Sequence, residues 1–245
     1  QVRTLSGWRA IEQGKRKPLP KILEMGTIGK EDQPKFEKVT YTVEKFGDRL
    51  PVSAELLEDN TAGLLQYLAG WFAPKYILTK NALLLKLLND LEKTVSLTAG
   101  SEAKELRKAM IKQLNTAQSM GAMLLTNQNG YAEMDGWEDK NGRSLLVPNP
   151  ADPSVYRLNG RQVVYGDNDQ IPDEAGKSPI YVGKFQSLGT LFVRKGLEMA
   201  ATDIGGDAWA TDSYELRGLC RMTAVAMDKN AAFKALIGSV SGAAG

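Results

Sequence analysis

The stretch FEKVTYTVEKFGDRLPVSAELLEDN, residues 36–60, decides the fold of this chain. In its first half Val39, Tyr41 and Val43 alternate with polar residues, which is the period of a β-strand with one dry face. The second half predicts the start of a helix, with Ser53 as the N-cap candidate. A polar strand that feeds a short helix and then a very long one is an unusual order for an enzyme domain.

The long helix is predicted over residues 61–91, because large apolar residues recur there at intervals of three and four. Pro74 lies inside this segment and predicts a kink, since proline removes a backbone donor and clashes with the preceding turn. Lysines and other polar residues interrupt the segment, so it is not expected to span a membrane. The predicted apolar stripe consists of Leu64, Leu65, Leu68, Phe72, Leu84, Leu85, Leu88 and Leu91.

The composition narrows the function classes. The 245 residues include 31 basic and 29 acidic side chains, a balance that does not fit a protein dedicated to wrapping nucleic acid. Histidine is absent, which excludes Ser-His-Asp and Cys-His catalysis and histidine metal sites. The single cysteine, Cys220, excludes an intrachain disulfide and is expected to be a buried structural thiol in an apolar helical stretch. The chain opens with Gln1, for which terminal trimming and proteolytic maturation are both open explanations.

The remaining elements alternate between helix and strand without βαβ regularity, which predicts the α+β class. A second helix is expected over residues 101–119, with Ser101 as its N-cap and with Leu106, Met110 and Leu114 on its buried face. Further predictions are a buried strand at 122–126, a short helix within 127–137, and turns at 139–143 and 158–161. A strand is predicted at 180–185, and a hairpin should pair 190–194 with 198–201 through Lys195-Gly196. A Gly-rich loop at 203–207, a helix or strand at 213–226 and a closing apolar stretch at 231–237 complete the predicted elements.

Residues 1–35 are basic and rich in glycine and proline, so this segment cannot bury a core of its own. It is either a mobile surface arm or a two-stranded loop that docks on a neighbouring subunit. In the second case Ile11 lies on the outgoing strand and Val39 on the return strand. The residues predicted at a subunit interface are Trp8, Lys15, Arg16, Lys17, Lys21, Lys30 and Phe36.

Four stretches, taken in order, resemble the major capsid proteins of tailed phages, the Hong Kong 97 type. The first is the opening passage with its wording VSAELLED at 52–59. The second is LLTNQNG at 124–130, followed by DKNGR at 139–143. The third is LNGRQVV at 158–164, with Gln162 where the family usually has proline. The fourth comprises VGKF at 182–185, VRKGLEM at 193–199 and LRGLCRM at 216–222.

The resemblance implies the Hong Kong 97-like capsid fold, with an extended loop, a long spine helix, a peripheral domain and an axial domain. Residues 1–37 would form the N-terminal arm and extended loop, and residues 38–120 the peripheral domain with the spine helix. Residues 121–189 would form the axial domain. Residues 190–245 would return to the peripheral domain and form the C-terminal segment, with the Gly-rich loop near three-fold contacts.

The function implied is that of a structural subunit that assembles into pentamers and hexamers, which form an icosahedral shell around the phage genome. The implied partners are further copies of the chain, packaged double-stranded DNA held by non-specific contact, and portal and cement proteins, with no membrane. The implied location is the virion, assembled in the host cytoplasm. The resemblance implies no catalytic residue, cofactor or metal.

Some members of the family crosslink their shells by joining a lysine of the extended loop to an asparagine of a neighbour, with a glutamate as catalyst. Lys15, Lys17, Lys21 and Lys30 could supply the amine. Asp212 stands at the asparagine position and Leu219 at the glutamate position, and leucine cannot act as a base. We therefore expect no covalent crosslinking, unless the alignment is shifted by one turn, in which case Asn230 or Glu215 becomes the candidate.

Three rival functions remain open. An encapsulin, which is a cellular compartment shell that holds cargo enzymes, has the same fold. A carboxylate-based hydrolase would use Asp135, Glu138 and Asp139, although these acids fit a solvated turn better. A nucleic-acid-binding module would rest on the basic residues between Arg3 and Lys21.

Overall fold

The computed structural model of the chain describes residues 1–13, 21, 35–55 and 64–238. Its first element is a two-stranded antiparallel ribbon of β1 (Ser6–Gln13) and β2 (Lys35–Thr42). The predicted alternation along β2 is confirmed, because Val39 and Tyr41 are partly buried while their polar neighbours are exposed.

The opening passage contains two strands rather than one, which corrects the sequence prediction. The chain leaves the ribbon at the buried residue Val43, and β3 (Glu44–Ser53) then joins a different sheet. Val52, predicted at the helix start, still belongs to β3. Helical conformation begins at Ala54, directly after the predicted N-cap residue Ser53, and the rest of the predicted helix start lies outside the described residues.

A three-stranded antiparallel sheet follows the order β10-β11-β3, where β10 is Gly189–Thr202 and β11 is Ser213–Ala226. The predicted hairpin through Lys195-Gly196 is wrong. β10 passes through these residues as one strand, and shifts in its register with β11 on both sides of Lys195 absorb the irregularity. A 14-residue partner strand therefore overrides the local turn signal.

The predicted long helix is confirmed as α1 (Leu64–Asn89), with Pro74 inside it. Its first half packs on the three-stranded sheet through Phe72. A Cβ atom at Gly218 would lie 2.5 Å from the Phe72 ring, so this close approach requires glycine at position 218. Within the described residues, no helix has the length and apolarity needed to cross a membrane.

The second half of α1 packs on the other sheet. Leu88 and Leu91 are buried there with Tyr181 and Leu188. The Tyr181 hydroxyl donates a hydrogen bond to the side-chain oxygen of Asn89, the last residue of α1, and burial followed by the nearby Glu174 carboxylate raises the pKa of Tyr181 to about 12. This contact fixes the helix end against the sheet.

The larger sheet has seven strands in the order β4-β12-β9-β5-β8-β7-β6. Two neighbouring pairs, β4 with β12 and β5 with β8, are parallel, and the other pairs are antiparallel. β9 is an inner strand between β12 and β5, and all of its residues are buried. The strands are β4 (Thr94–Ser96), β5 (Met123–Asn127), β6 (Leu146–Asn149), β7 (Asp152–Leu158), β8 (Arg161–Gly166), β9 (Ser178–Gly183) and β12 (Ala232–Ile237).

The predicted second helix is present as α2 (Glu102–Gln113), and a separate short helix, α3 (Thr116–Met120), follows it. The predicted dry residues Leu106, Met110 and Leu114 are all buried in the main core. Ser101 occupies the N-cap position, but its side chain makes no capping hydrogen bond. A carboxylate oxygen of Glu105 instead accepts a hydrogen bond from the backbone N–H of Thr98 (2.8 Å).

The short elements around the large sheet follow their local sequence signals. Asn127 caps α4 (Gln128–Asp135) by accepting a hydrogen bond from the backbone N–H of Gly130 (2.8 Å). Asn159 and Gly160 both have positive φ angles, 50° and 77°, which confirms the tight turn between β7 and β8. Three one-turn helices complete the described part of the fold: α5 (Phe185–Leu188), α6 (Ala208–Thr211) and a 3-10 helix at Lys229–Ala231.

Cys220 lies in β11 rather than in a helix, which corrects the second half of its prediction. The first half is confirmed, because the thiol is buried. Burial raises the pKa of this thiol, and the charge of Lys80 opposes the shift. A buried thiol held in its protonated form is a structural group rather than a nucleophile.

Candidate assembly surfaces

The root of the ribbon is fixed to the three-stranded sheet. The Tyr41 ring stacks on Phe192 with a centroid distance of 4.2 Å and an interplanar angle of 10°. The backbone N–H of Val43 donates to the carbonyl of Leu5 (2.8 Å), which ties the two chain segments together at the same place. The ribbon therefore leaves the subunit from a defined point and in a defined direction.

The two faces of the ribbon differ. Its register places Tyr41 and Val39 on the face that meets the sheet, together with Ile11. Trp8 and Phe36 lie on the opposite face, where 60% and 65% of their surfaces are exposed. A two-stranded ribbon is marginally stable in water by itself, and this one displays two large aromatic side chains to solvent.

The first part of α1 shows a second apolar surface. Tyr67, Trp71, Pro74 and Leu78 follow a spacing of four, three and four residues, so they form one line along the helix. All four are exposed, Trp71 at 51%. By the same helical spacing Leu85 continues this line and is partly buried, so the subunit itself covers only the end of this surface.

The predicted stripe of the same helix needs correction at one position. Phe72, Leu88 and Leu91 are buried as predicted, but Leu84 is 39% exposed. The helix is apolar on more than one side, so spacing alone does not identify the side that packs on the sheets. The side chains of Leu64, Leu65 and Leu68 lie outside the described residues.

The loop of residues 203–212, between β10 and β11, forms a third surface. The Thr202 hydroxyl accepts hydrogen bonds from two backbone N–H groups of the loop (3.3 and 3.1 Å). The half-exposed Arg49 pairs with Asp207 and with the buried Glu215, both at 3.3 Å. On this held loop Trp209 is 80% exposed and Ile204 is 71% exposed.

The predicted interface residues are distributed unevenly over the described chain. Trp8 and Phe36 lie on one face of the ribbon, as described above, and Lys21 is exposed. Lys15, Arg16, Lys17 and Lys30 lie outside the described residues. Sequence reasoning missed the exposed aromatics of α1 and of the 203–212 loop, because a large apolar side chain at helical spacing is normally assigned to the core.

The two positions relevant to crosslinking are also visible. Asp212 follows α6 in a left-handed conformation with φ of 46° and is exposed. Leu219 lies in β11 opposite Gly47 and Glu198. Asp212 has a carboxylate in place of the amide that an attacking lysine needs, and Leu219 has no group that can act as a base.

The acids proposed for a hydrolase serve local structure. Asp139 accepts hydrogen bonds from the backbone N–H groups of Asn141 (2.7 Å) and Arg143 (3.0 Å), which confirms the predicted turn. Asp135 and Glu138 are exposed. Among the described residues, no group of three or more cysteine, aspartate or glutamate side chains could hold a metal ion.

Asp173 is a carboxylate held by three side-chain partners. Its oxygens accept hydrogen bonds from Asn127 (2.6 Å), Asn129 (2.7 Å) and Ser178 (2.8 Å). Burial alone would raise the pKa of Asp173, but these three hydrogen bonds together lower it. A carboxylate with a lowered pKa and occupied oxygens is a poor base, so it fixes the loop before β9 rather than performing chemistry.

Comparison with known proteins identifies the fold. The model of the phage capsid family matches residues 12–237. The capsid of a native GTA particle is 16% identical with a TM-score of 0.76, and the match covers 96% of this chain and 86% of that one. A chain of Mycobacterium phage Bobi is 15% identical with a TM-score of 0.66, and the match covers 97% of this chain and 87% of that one. The holo-SrpI encapsulin complex from Synechococcus elongatus is 12% identical with a TM-score of 0.65, and the match covers 85% of this chain and 79% of that one. No curated protein sequence matched the chain.

These findings bear out both the resemblance and the α+β class. The structural matches have low identity and speak for the fold, whereas the family match extends over nearly the whole chain. The chain belongs to the phage capsid family, and its fold is that of the Hong Kong 97-type major capsid proteins of tailed phages.

Proposed function

We propose that copies of this chain, a major capsid protein, assemble as pentamers and hexamers into an icosahedral shell around a phage genome. The observation that carries this proposal is the ribbon, whose outer face holds Trp8 and Phe36 largely in solvent. A second copy of the chain would bury that face. The apolar line on α1 and the 203–212 loop offer further surfaces of the same kind.

The division into regions is part of the proposal. Residues 1–37 are the arm and extended loop, and residues 38–120 are the peripheral domain with α1 as the spine helix. Residues 121–189 are the axial domain, and residues 190–245 return to the peripheral domain. Two observations support it: β10 and β11 form one sheet with β3, and α1 packs on that sheet.

The partners and location follow from the same proposal. The shell encloses double-stranded DNA through non-specific contacts, and portal and cement proteins complete the particle. The subunit assembles in the host cytoplasm and resides in the virion. The near balance of 31 basic and 29 acidic residues supports weak, incidental contact with DNA rather than tight electrostatic wrapping.

Deletion of residues 15–30 tests the role of the extended loop. The deletion leaves both described strands of the ribbon intact, so the deleted subunit should keep the thermal unfolding midpoint of the full chain. Its shells should be weakened or absent in electron micrographs and in sedimentation. Shells of unchanged stability would show that the loop is only a surface arm. A full chain that remains a 26.7 kDa monomer under all assembly conditions would refute the proposed function itself.

The encapsulin function is the second candidate, supported by the fold likeness to the holo-SrpI complex. The two functions differ in what the shell contains. Purified shells that carry nucleic acid, measured by the ratio of absorbance at 260 and 280 nm before and after nuclease treatment, support the phage capsid. A co-purifying enzyme inside nuclease-resistant shells without nucleic acid would support the encapsulin.

A further inference from the structure

A pocket of about 460 Å³ at the root of the ribbon has a wall of positively charged side chains. Its position follows from a backbone contact, because the N–H of Val2 donates to the carbonyl of Val193 in β10 (3.0 Å). The N-terminal segment thereby brings its own cation to those of the sheet. The pocket is lined by Gln1, Val2, Arg3, Arg194, Lys195 and Arg221.

The sheet concentrates charge of one sign beside this pocket. Lys195 in β10 lies opposite Arg221 in β11, and Arg221 lies opposite Lys45 in β3. Cross-strand partners project from the same face, and like charges directly opposite destabilise a sheet. The charge of Lys195 is partly compensated by its exposed ion pair with Glu198. The guanidinium groups of Arg3, Arg194 and Arg221 form no ion pair with any residue that the structure describes.

A second, independent observation concerns the hydrogen bonds of Arg221. Its Nε atom is buried and has no acceptor among the described residues. A buried donor without an acceptor costs free energy, and the cost is larger for a charged group. An anion bound against the Arg221 guanidinium would offset this cost by compensating its charge, and the row of cations favours an anion with several acceptor oxygens.

We propose that this pocket is a binding site for a phosphate group. A phosphate group offers more acceptor oxygens than a carboxylate, so more of the four cations that line the pocket can donate hydrogen bonds to it at the same time. The group is supplied either as free inorganic phosphate or as the phosphodiester of a nucleic acid. The site lies within one subunit, so the proposal does not depend on the assembly of a shell.

Calorimetric titration of the full chain with inorganic phosphate tests the site, with chloride keeping the ionic strength constant. The wild-type chain should bind phosphate, and Arg221→Gln should weaken binding by roughly tenfold or more, because charge-assisted hydrogen bonds are lost. Arg194→Gln should act in the same direction if the first variant does not fold. Arg107→Gln removes an exposed cation from α2 and should leave phosphate affinity unchanged.

Two results with the unassembled chain would overturn the site: no phosphate binding by the wild-type chain, or an equal loss in Arg107→Gln. A labelled DNA duplex, followed by fluorescence anisotropy at fixed salt, separates the two sources. If Arg221→Gln weakens duplex binding and free phosphate competes with the duplex, the phosphodiester is the ligand. If only phosphate binding falls, the ligand is the free ion. Loss of phosphate binding when wild-type chains assemble would mean that a neighbouring copy fills the pocket, which contradicts the proposal.

Discussion

Replacing Trp8 with alanine tests whether the ribbon is an assembly surface. A tryptophan side chain offers roughly 200 Å² for burial. Trp8 keeps 60% of its surface exposed in the single subunit, so about 120 Å² remains for a second copy to cover. At about 25 cal/mol per Å² this burial contributes about 3 kcal/mol per subunit. In Trp8→Ala the critical concentration for shell formation should therefore rise on the order of 100-fold.

The stability of the unassembled subunit should change little in Trp8→Ala. The described contact of the Trp8 ring within the chain is with the Lys38 ammonium group, which lies 5.2 Å from the ring centroid. An exposed cation–π contact of this kind contributes about 0.5–1 kcal/mol. Thermal unfolding of unassembled protein should thus remain close to wild type, while light scattering against protein concentration reports the delayed assembly.

Ile111→Ala is the matched control. Ile111 is an apolar side chain on α2 that is 68% exposed and lies outside the three surfaces described above. It should leave the critical concentration unchanged. The reasoning is refuted if Trp8→Ala assembles at the wild-type concentration, because the outer face of the ribbon would then stay in solvent within the shell.

Three further predictions concern the core, acid sensitivity and covalent chemistry. Leu88 is 6% exposed, so Leu88→Asp should bury an unpaired charge at a cost of several kcal/mol and leave the expressed chain insoluble; a soluble, assembling variant would contradict this burial. The pKa of Asp173 is lowered, so its contribution to stability is present above the usual carboxyl pKa of about 4 and is lost as the pH falls through the folded value. Asp173→Asn should therefore be less stable than wild type at neutral pH but lose less on acidification, as measured by thermal unfolding; equal losses would place the acid sensitivity elsewhere. With Asp212 and Leu219 at the two reactive positions, mature shells boiled in denaturing detergent should run as one monomer band on a gel, and a ladder resistant to reductant would show that crosslinking occurs.

The sequence predicts those parts of the fold in which a short pattern determines the structure. The buried line of Leu106, Met110 and Leu114 follows from helical spacing, because polar residues occupy the opposite side of α2. The turn at Asn159-Gly160 follows from the conformational freedom of these two residues. In both cases no distant segment competes with the local preference.

The errors arise where distant segments decide. Lys195-Gly196 has the composition of a turn, but pairing with β11 keeps both residues in a strand. The position of Cys220 in a strand depends on the same pairing. The exposed aromatics of α1, such as Trp71, could not be distinguished from core residues, because the sequence of one chain does not indicate which apolar surfaces are left for another copy.

The register shifts in β10 bear on how the sheet avoids unwanted pairing with strands of other chains. β10 and β3 are the two outer strands of their sheet. A long, flat outer strand offers its unpaired backbone groups to any other strand and so promotes aggregation. Two irregularities interrupt β10, and Pro51 removes a backbone donor from β3. The sheet can thus contact neighbouring copies through its side chains. Both of its edges disfavour backbone pairing with other strands, which would otherwise produce fibres.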